Sequence, residues 1–480
     1  MTVRAPRRSG MLLFSGGNAI AQIAALARYV LLARLLGPEQ LGLAATLILT
    51  SQFFEAVTDG GLDRFLVQAR AGNLGSVNRM VHTMLAMRGL AIALSIAVTS
   101  AFFARYYHNE SLRGALLLLA LSPAIAGFVN FDFRRVQRRL RFGPEGLVTS
   151  LSESAALVTT VVVAVVTRSF IAVSAGLVVR SAVIVTVSHL LARRRYRLGV
   201  SRLHAPDIFK FGFPLMINGL LLFLGGQGDR LFIGNMIGLS DLGRYSAIIL
   251  LIYYPATLVG RFLQSVSVPA IAAARDNPTA RKKIYEGVAG TFTLTSIFMM
   301  CGFALIAPLL VPHLYGARFV QPALLVALIG TLQACRFTRL WPATVAVAAG
   351  RSKFVMWSSV TRLIAFPAAF LIVRYQSGLV AIVVVFAAAE LLAVLVSLVQ
   401  LNRIGLGGGR RDWFRLTLLT IAMVSIAMVA SDLSATAMIV GTIVTISCMV
   451  ALAWLERLIL SKAIDFARYR FGPRYAPVNL

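Results

Sequence analysis

The stretches "ARLLGPEQLG" (33–42) and "GNMIGLSDLG" (234–243) decide the architecture of this chain. Both read G-x-x-x-L-G, and Gly37 and Gly238, Leu41 and Leu242, Gly42 and Gly243 are each offset by 201 residues. Each phrase closes one apolar run and starts another. Glycine, followed in the first copy by Pro38, permits a sharp reversal, and the paired glycines let helix ends approach closely. The repetition predicts a chain of two equivalent halves, each opening on the same tight helical hairpin.

Composition says what the hairpins are made of. The 480 residues are 58% hydrophobic and only 14% charged, with a mean hydropathy of +0.80. Soluble domains carry about 25% charged residues, and several apolar runs here reach the roughly 20 residues that cross a bilayer. The reading is an all-α polytopic membrane protein with about fourteen transmembrane helices. The first spans are placed at about 11–36 and 40–58, the last at 414–431 and 434–455.

The second copy of the phrase falls between spans 7 and 8, so the repeat unit is six helices. Six is even, and both halves enter the membrane from the same side. A pseudo-two-fold axis along the membrane normal follows, with a site expected between two six-helix bundles near the midplane. The expected divisions are 1–200, 201–400, and 401–480 for two additional helices and a basic tail.

The formal net charge is +29. Its location gives it meaning. Alternate loops hold the basic segments "RRVQRRLR" (134–141), "RRRYRLGVSR" (193–202), "ARKK" (280–283), "GRRDWFR" (409–415) and "RFGPRY" (470–475). The opposite loops hold Arg105, Arg113, Arg168, Arg244, Arg318 and Arg374. This is the positive-inside pattern, and it places both termini in the cytoplasm. Charge is therefore read as topology, and a nucleic-acid partner is excluded. Arg4, Arg7 and Arg8 imitate a signal peptide, but the apolar segment after them is too long and contains Asn18, Gln22 and Arg28. Cys301, Cys335 and Cys448 are far apart, and the five histidines form no close pair, so no disulfide framework and no metal are expected.

Around the repeat, "LLARLLGPEQLGLAAT" (31–46), "TDGGLDRFLVQ" (58–68), "GDRLFIGNMIGLSDLGRYSAI" (228–248), "APLLVPHLYGARFVQ" (307–321) and "AVAAGRSKF" (346–354) occur in order. Together they resemble the oligosaccharide flippase, or polysaccharide transporter, family of the multidrug/oligosaccharidyl-lipid/polysaccharide superfamily. The resemblance runs from about residue 11 to about residue 400 and is weaker over the last two spans. It implies two six-helix bundles forming a V around a central cavity. It also implies a cargo of undecaprenyl-diphosphate-linked oligosaccharide, moved from the inner to the outer leaflet of a bacterial inner membrane. The implied partners are that lipid-linked sugar and the bilayer, with polysaccharide polymerase machinery as a candidate neighbour. No cofactor is implied, and the family implies a membrane gradient as the energy source.

Such a cargo needs a wet, cationic cavity, and the planar fork of arginine suits diphosphate oxygens best. Arg28, Arg34, Arg64, Arg88, Arg180, Arg230, Arg261, Arg336, Arg339 and Arg362 lie within or close to the spans. Charge at bilayer depth costs roughly 2.5–3.5 kcal/mol or more, so these side chains face protein or water. Arg28, Arg34, Arg64, Arg88, Arg261 and Arg336, with Tyr254 and Gln264, are the expected contacts to diphosphate or sugar. The competing reading for Arg34, Arg64, Arg230 and Arg261 is snorkelling from a span end. For Arg180 and Arg336 it is structural pairing, of Arg180 with Glu153 and of Glu390 with Arg336 or Arg362.

Helical spacing sets Gln52, Glu55, Asp59 and Asp63 on one face of span 2, unless Gly60 and Gly61 end the helix first. On span 7, Asn218 and Asp229 share a face with Gly225 and Gly226 between them, a candidate kink. Glu55, Asp59, Asp229 and Asn218 are the expected ion-coupling or gating residues. On span 8, Tyr254, Thr257, Arg261 and Gln264 share a face, read as a sugar-contacting strip or as a polar seam between helices. On span 10, Gln333, Arg336 and Arg339 do the same.

Three alternatives stand beside the flippase. A multidrug exporter of the same superfamily would carry cations that buried arginines repel, and a lipid II-type exporter would carry a related anionic head. A membrane polysaccharide polymerase would resemble its kind in having a large catalytic outer loop. Here the outer loops are about ten residues or fewer, without paired carboxylates or a nucleophile beside a base. No G-x-x-x-x-G-K-[ST] loop is present for direct use of ATP.

Overall fold

The computed structural model describes residues 8–454 apart from 140–141, 202, 275–276, 350–352, 376–377, 408 and 432–439. Every regular element among them is helical. Among the described residues twelve helices are long and apolar enough to cross a membrane, and the shorter apolar helices Ser111–Ala126 and Val440–Trp454 bring the set to the expected fourteen. The chain runs through α1 (Arg8–Leu36), α2 (Pro38–Val57), α3 (Gly75–Tyr106), α4 (Ser111–Ala126), α5 (Gly143–Thr167), α6 (Ile171–Leu191) and α7 (Ala205–Met236). It continues through α8 (Leu239–Ala273), α9 (Pro278–Tyr315), α10 (Ala323–Thr338 and Leu340–Ala348), α11 (Lys353–Thr361 and Ala365–Tyr375), α12 (Leu379–Arg403), α13 (Arg410–Ser431) and α14 (Val440–Trp454). The basic tail beyond residue 454 lies outside the described residues.

The residues form two compact units, Met1–Leu250 with Val311–Val320, and Leu251–Leu310 with Gln321–Leu480.

In the first unit the repeated phrase makes the turns that its residues call for. Gly37, at φ +80°, joins α1 to α2 with Pro38 in the first helical turn, and Gly238, at φ +138°, joins α7 to α8. Both backbones lie where a side chain is strained and glycine is not. The two hairpins also touch each other. A Cβ on Gly42 would fall 1.9 Å from the carbonyl oxygen of Leu239, and a Cβ on Gly243 would fall 1.9 Å from that of Pro38. The same device packs α1 on α5, where Cβ atoms on Gly17 and Gly146 would lie 2.5 and 2.4 Å from opposing carbonyl oxygens. Between apolar helices in lipid, close backbone approach replaces the hydrophobic drive available in water.

At the end carrying the basic segments, Leu62, Phe65 and Leu66 pack on Val77, Val81 and Phe133. Basic residues of the segments are fixed there by polar partners. Arg135 Nε donates to Asp132 Oδ1 (2.7 Å), Arg194 Nη1 donates to the Asn73 carbonyl (2.8 Å), and the Tyr196 ring stacks on His82 with centroids 4.5 Å apart.

The second unit is built around α10. Phe292 and Met300 of α9, Phe337 and Trp341 of α10, Val394 and Leu398 of α12, and Leu419 and Met423 of α13 form one buried cluster, which Cys448 and Leu452 of α14 join. The last two helices thus belong to the core of this unit. Cys335 Sγ of α10 lies 3.9 Å from Met423 Sδ of α13.

The structure departs from helices expected as continuous. α2 stops at Val57, so Asp59 and Asp63 do not extend the acidic face of Gln52 and Glu55. Gly61, at φ +58°, takes the left-handed conformation that starts a separate short helix, Leu62–Gln68. α10 is interrupted at Arg339, and α11 by a 3-10 turn over Arg362–Ile364. Proline explains both breaks, since it cannot donate to the carbonyl four residues earlier and its ring clashes there. For Pro342 that carbonyl is Thr338, and for Pro367 it is Leu363. α7, in contrast, stays helical through Gly225 and Gly226.

Candidate functional site

The two helix breaks of the second unit hold arginines, and both arginines reach the same carboxylate. Glu390 sits near the middle of α12 with 3% of its side chain exposed. Arg362 Nη2 lies 2.7 Å from its Oε1 and Arg362 Nε donates to the same oxygen at 2.8 Å. Arg336 Nε lies 3.2 Å from Oε1, and Arg339 Nε lies 3.4 Å from Oε2. The three arginine side chains are 4, 14 and 11% exposed for Arg362, Arg336 and Arg339. Three guanidiniums therefore share one carboxylate. The four groups sum to +2 at mid-helix depth, where each charge is costly.

The local reason is geometric. Arg336 and Arg339, the latter at the break, are three residues apart and so share one face of α10, the face that meets α12. The 3-10 turn aims Arg362 at it from α11. Discontinuous spans with charged groups at the break recur where membrane proteins bind ions and anionic groups.

The first unit holds a smaller version on unbroken helices. Glu153 of α5 meets Arg180 Nε of α6 at 2.5 Å and Arg28 Nη1 of α1 at 3.4 Å. Glu153 and Arg28 are 12 and 15% exposed, and Arg180 is 37% exposed. These groups sum to +1. The expected pairing of Glu153 with Arg180 is present, with Arg28 as a third member.

The other expected site residues are spread over both units. Arg34 donates through Nε to the Leu314 carbonyl at 2.7 Å and through Nη2 to that of His313, so it caps the last turn of α9. Arg88 caps α2 in the same way, with Nη2 on the Glu55 carbonyl (2.9 Å) and Nε on Thr58 Oγ1 (3.0 Å). Arg64 on its short helix and Arg261 on α8 are exposed. On α8, Tyr254 is half-buried and Gln264 Nε2 donates to Thr344 Oγ1 of α10 at 3.4 Å.

Of the acidic and amide candidates, Glu55 is exposed and accepts from Ser51 Oγ at 2.9 Å. Asp59 accepts the Gly61 amide at 3.2 Å and so shapes the turn after α2. Asn218 is half-buried on α7. Asp229 is fully buried and accepts from the Tyr245 hydroxyl of α8 at 2.5 Å.

Arg339 and Arg362 are absent from the expected contacts. The signal for them was a second repeated phrase: T-R-L at 338–340 and at 361–363, each followed by a proline two or four residues on.

Residues 31–323 match the model of a family described as "Polysaccharide biosynthesis protein". The chain is 26% identical over 219 residues to the succinoglycan biosynthesis transport protein ExoT of Rhizobium meliloti (strain 1021). That match spans 45% of this chain and 44% of ExoT, less than half the relative's length. Among solved structures, the lipid II flippase MurJ in an inward closed conformation superposes with a TM-score of 0.70 at 12% identity, covering 94% of this chain and 100% of that one. An inward-facing multidrug resistance transporter of the MATE family, also of the MOP superfamily, superposes with a TM-score of 0.61 at 13% identity, covering 83% and 95%. At these identities the likeness is one of fold.

Proposed function

Since this chain belongs to the polysaccharide biosynthesis protein family, we propose that it is a flippase moving polyprenyl-diphosphate-linked oligosaccharide between membrane leaflets by alternating access. The observation that carries the reading is the excess of arginine over carboxylate among the spans of both units: two guanidiniums on Glu153 and three on the buried Glu390. A membrane protein tolerates such an excess where an anion visits it. A diphosphate head offers oxygens in the paired geometry that guanidinium forks bind. A cationic drug would meet repulsion at the same places, which favours the lipid-linked sugar over the multidrug alternative.

In this reading Arg28 and Arg180, and Arg336, Arg339 and Arg362, exchange part of their hold on Glu153 and Glu390 for the passing diphosphate. Tyr254, Gln264 and Arg261 serve the sugar chain. Asp229, hydrogen-bonded to Tyr245, together with Glu55, Asp59 and Asn218, serves coupling or gating. The protein lies in the inner membrane of a bacterium with its basic segments facing the cytoplasm, and it performs no covalent chemistry.

The test is reconstitution into liposomes with fluorescent undecaprenyl-diphosphate oligosaccharide, scored by leaflet exposure with and without a proton gradient. Exposure that requires the protein and falls at least tenfold in R28A/R180A supports the reading. Protein-dependent export of a cationic dye, with no movement of the lipid, would overturn it.

A further inference from the structure

At the end of α12 that carries basic segments, the second unit has a shallow, open cavity of about 640 Å³ between Lys282 of α9, Asn402 and Arg403 of α12, and Arg410 and Trp413 of α13. That size lies within the ~300–1,000 Å³ typical of small-molecule pockets. No carboxylate among the described residues lines it. The two acidic residues nearby are already engaged. Arg411 bonds Glu286, and Arg415 donates to Asp412 Oδ1 at 2.8 Å and to the Glu286 carbonyl at 3.0 Å. Lys282, Arg403 and Arg410 have no carboxylate partner among the described residues, and all three are exposed.

Two further features point to an oxygen-rich anion. The turn between α12 and α13 carries Gly405 and Gly409 at positive φ, with Gly407 set so closely that a Cβ would fall 1.9 Å from Asn402 Oδ1. This turn leads directly into the N-terminus of α13, where the Asp412 amide donates to the Gly409 carbonyl at 3.2 Å and the Arg410 and Arg411 amides precede any helical acceptor. Asn402 accepts the Gly409 amide through Oδ1 at 3.3 Å, which fixes the orientation of its side chain. Its Nδ2, on the other side, is a buried donor without an acceptor.

Depth decides which anion. Trp413 and Phe414 are 41 and 46% exposed beside the cavity. Exposed aromatics next to basic residues mark the headgroup layer of a bilayer. A basic cavity between helix ends at that level suits a lipid headgroup. We propose that this cavity binds the headgroup phosphate of an anionic phospholipid of the cytoplasmic leaflet. The phosphate lies between Lys282, Arg403 and Arg410, Asn402 Nδ2 and the Arg410 and Arg411 amides donate to it, and Trp413 covers it. The site lies at the end of α12, away from Glu390 in its middle, and its occupancy does not depend on what the protein transports.

The experiment is native mass spectrometry of the purified full chain titrated with phosphatidylglycerol, phosphatidylcholine or inorganic pyrophosphate. Wild type, K282Q/R403Q/R410Q and the matched surface variant R195Q/R197Q/K210Q are compared. The expected result is a phosphatidylglycerol adduct that the first variant weakens roughly a hundredfold, about 3 kcal/mol at ~1 kcal/mol per basic residue. R410Q alone weakens it about fivefold. The surface variant leaves it unchanged, and phosphatidylcholine does not compete. Equal loss in the surface variant reduces the effect to bulk charge and overturns the site. An unaltered adduct in K282Q/R403Q/R410Q does the same. Pyrophosphate binding that needs the three cations and displaces phosphatidylglycerol would assign the cavity to free phosphate and overturn the lipid.

Discussion

Gly42 and Gly243 occupy equivalent places in the two copies of one phrase, and each packs against the backbone four residues before the other. A Cβ on Gly42 would meet the Leu239 carbonyl oxygen, and one on Gly243 would meet that of Pro38, both at 1.9 Å. Residues 38 and 239 are themselves equivalent under the 201-residue offset. The contact is reciprocal, as it is across a two-fold axis. The phrase is written twice because its two copies bind each other.

Gly42→Ala and Gly243→Ala are therefore expected to destabilise the protein. The neighbour in each case is backbone, which cannot turn aside, so the cost should reach or exceed the roughly 1–3 kcal/mol of core overpacking. Gly226→Ala serves as the control. It lies inside α7 with nothing within 4 Å of a built Cβ. Alanine there should be neutral or stabilising by up to about 1 kcal/mol. Thermal unfolding in detergent orders the three, and a Gly42→Ala protein as stable as Gly226→Ala would remove the hairpin contact from the account.

The arginine cluster of the second unit gives a charge-balance prediction. Glu390→Gln leaves Arg336, Arg339 and Arg362 facing one another in the helical core. Removing one partner of a buried ion pair costs about 3–5 kcal/mol. The double variant E390Q/R362Q removes one charge of each sign and should be more stable than E390Q alone. Thermal unfolding of the double-mutant cycle measures the coupling. Additive effects would mean that the short distances carry no interaction energy.

Much of this architecture was legible. Apolar runs placed the helices, and the repeated glycine phrase marked the two hairpins. Glu153 was paired with Arg180 from sequence because membrane spans hold few acids and each must find a cation. Other features depend on tertiary geometry that no periodicity encodes. Arg34 and Arg88 look like cavity cations, yet they cap the ends of α9 and α2, helices remote from them in sequence. The stripe from Gln52 to Asp63 required a helix continuing past Asp59, but α2 ends at Val57, before the glycines that were its expected stop. Glu390 was paired with Arg336 or Arg362 from sequence; that both reach it at once, with Arg339 beside them, depends on how α10, α11 and α12 pack.

Asp229 and Tyr245 supply a prediction for the first unit. Their hydrogen bond is short, at 2.5 Å, and both residues are fully buried. Tyr245→Phe leaves the Asp229 carboxylate without that donor, which should cost about 1–3 kcal/mol. Asp229→Asn keeps an acceptor but removes the charge. If Asp229 serves coupling, Asp229→Asn transport should no longer respond to a proton gradient, while Tyr245→Phe transport still does. The leaflet-exposure assay at two gradients separates them. Identical gradient dependence in Asp229→Asn and wild type would take Asp229 out of coupling.

The proline breaks yield the last prediction, in which stability and transport part. Proline inside a helix costs about 3 kcal/mol relative to alanine. Pro342→Ala and Pro367→Ala permit α10 and α11 to close their missing hydrogen bonds, with the carbonyls of Thr338 and Leu363 as the acceptors regained. Continuous helices lose the hinge beside Arg339 and Arg362 at which these residues would be released from Glu390. The single variants should therefore fold at least as stably as wild type, while lipid exposure in liposomes falls about tenfold or more. Circular dichroism melting and the leaflet assay, run on the same preparations, read the two quantities separately. A variant that loses stability and transport together would make the prolines packing residues only. One that gains stability and keeps full transport would detach the breaks from the transport path. The expected split is the mark of a helix broken for function, because only there does a more regular backbone make a less active protein.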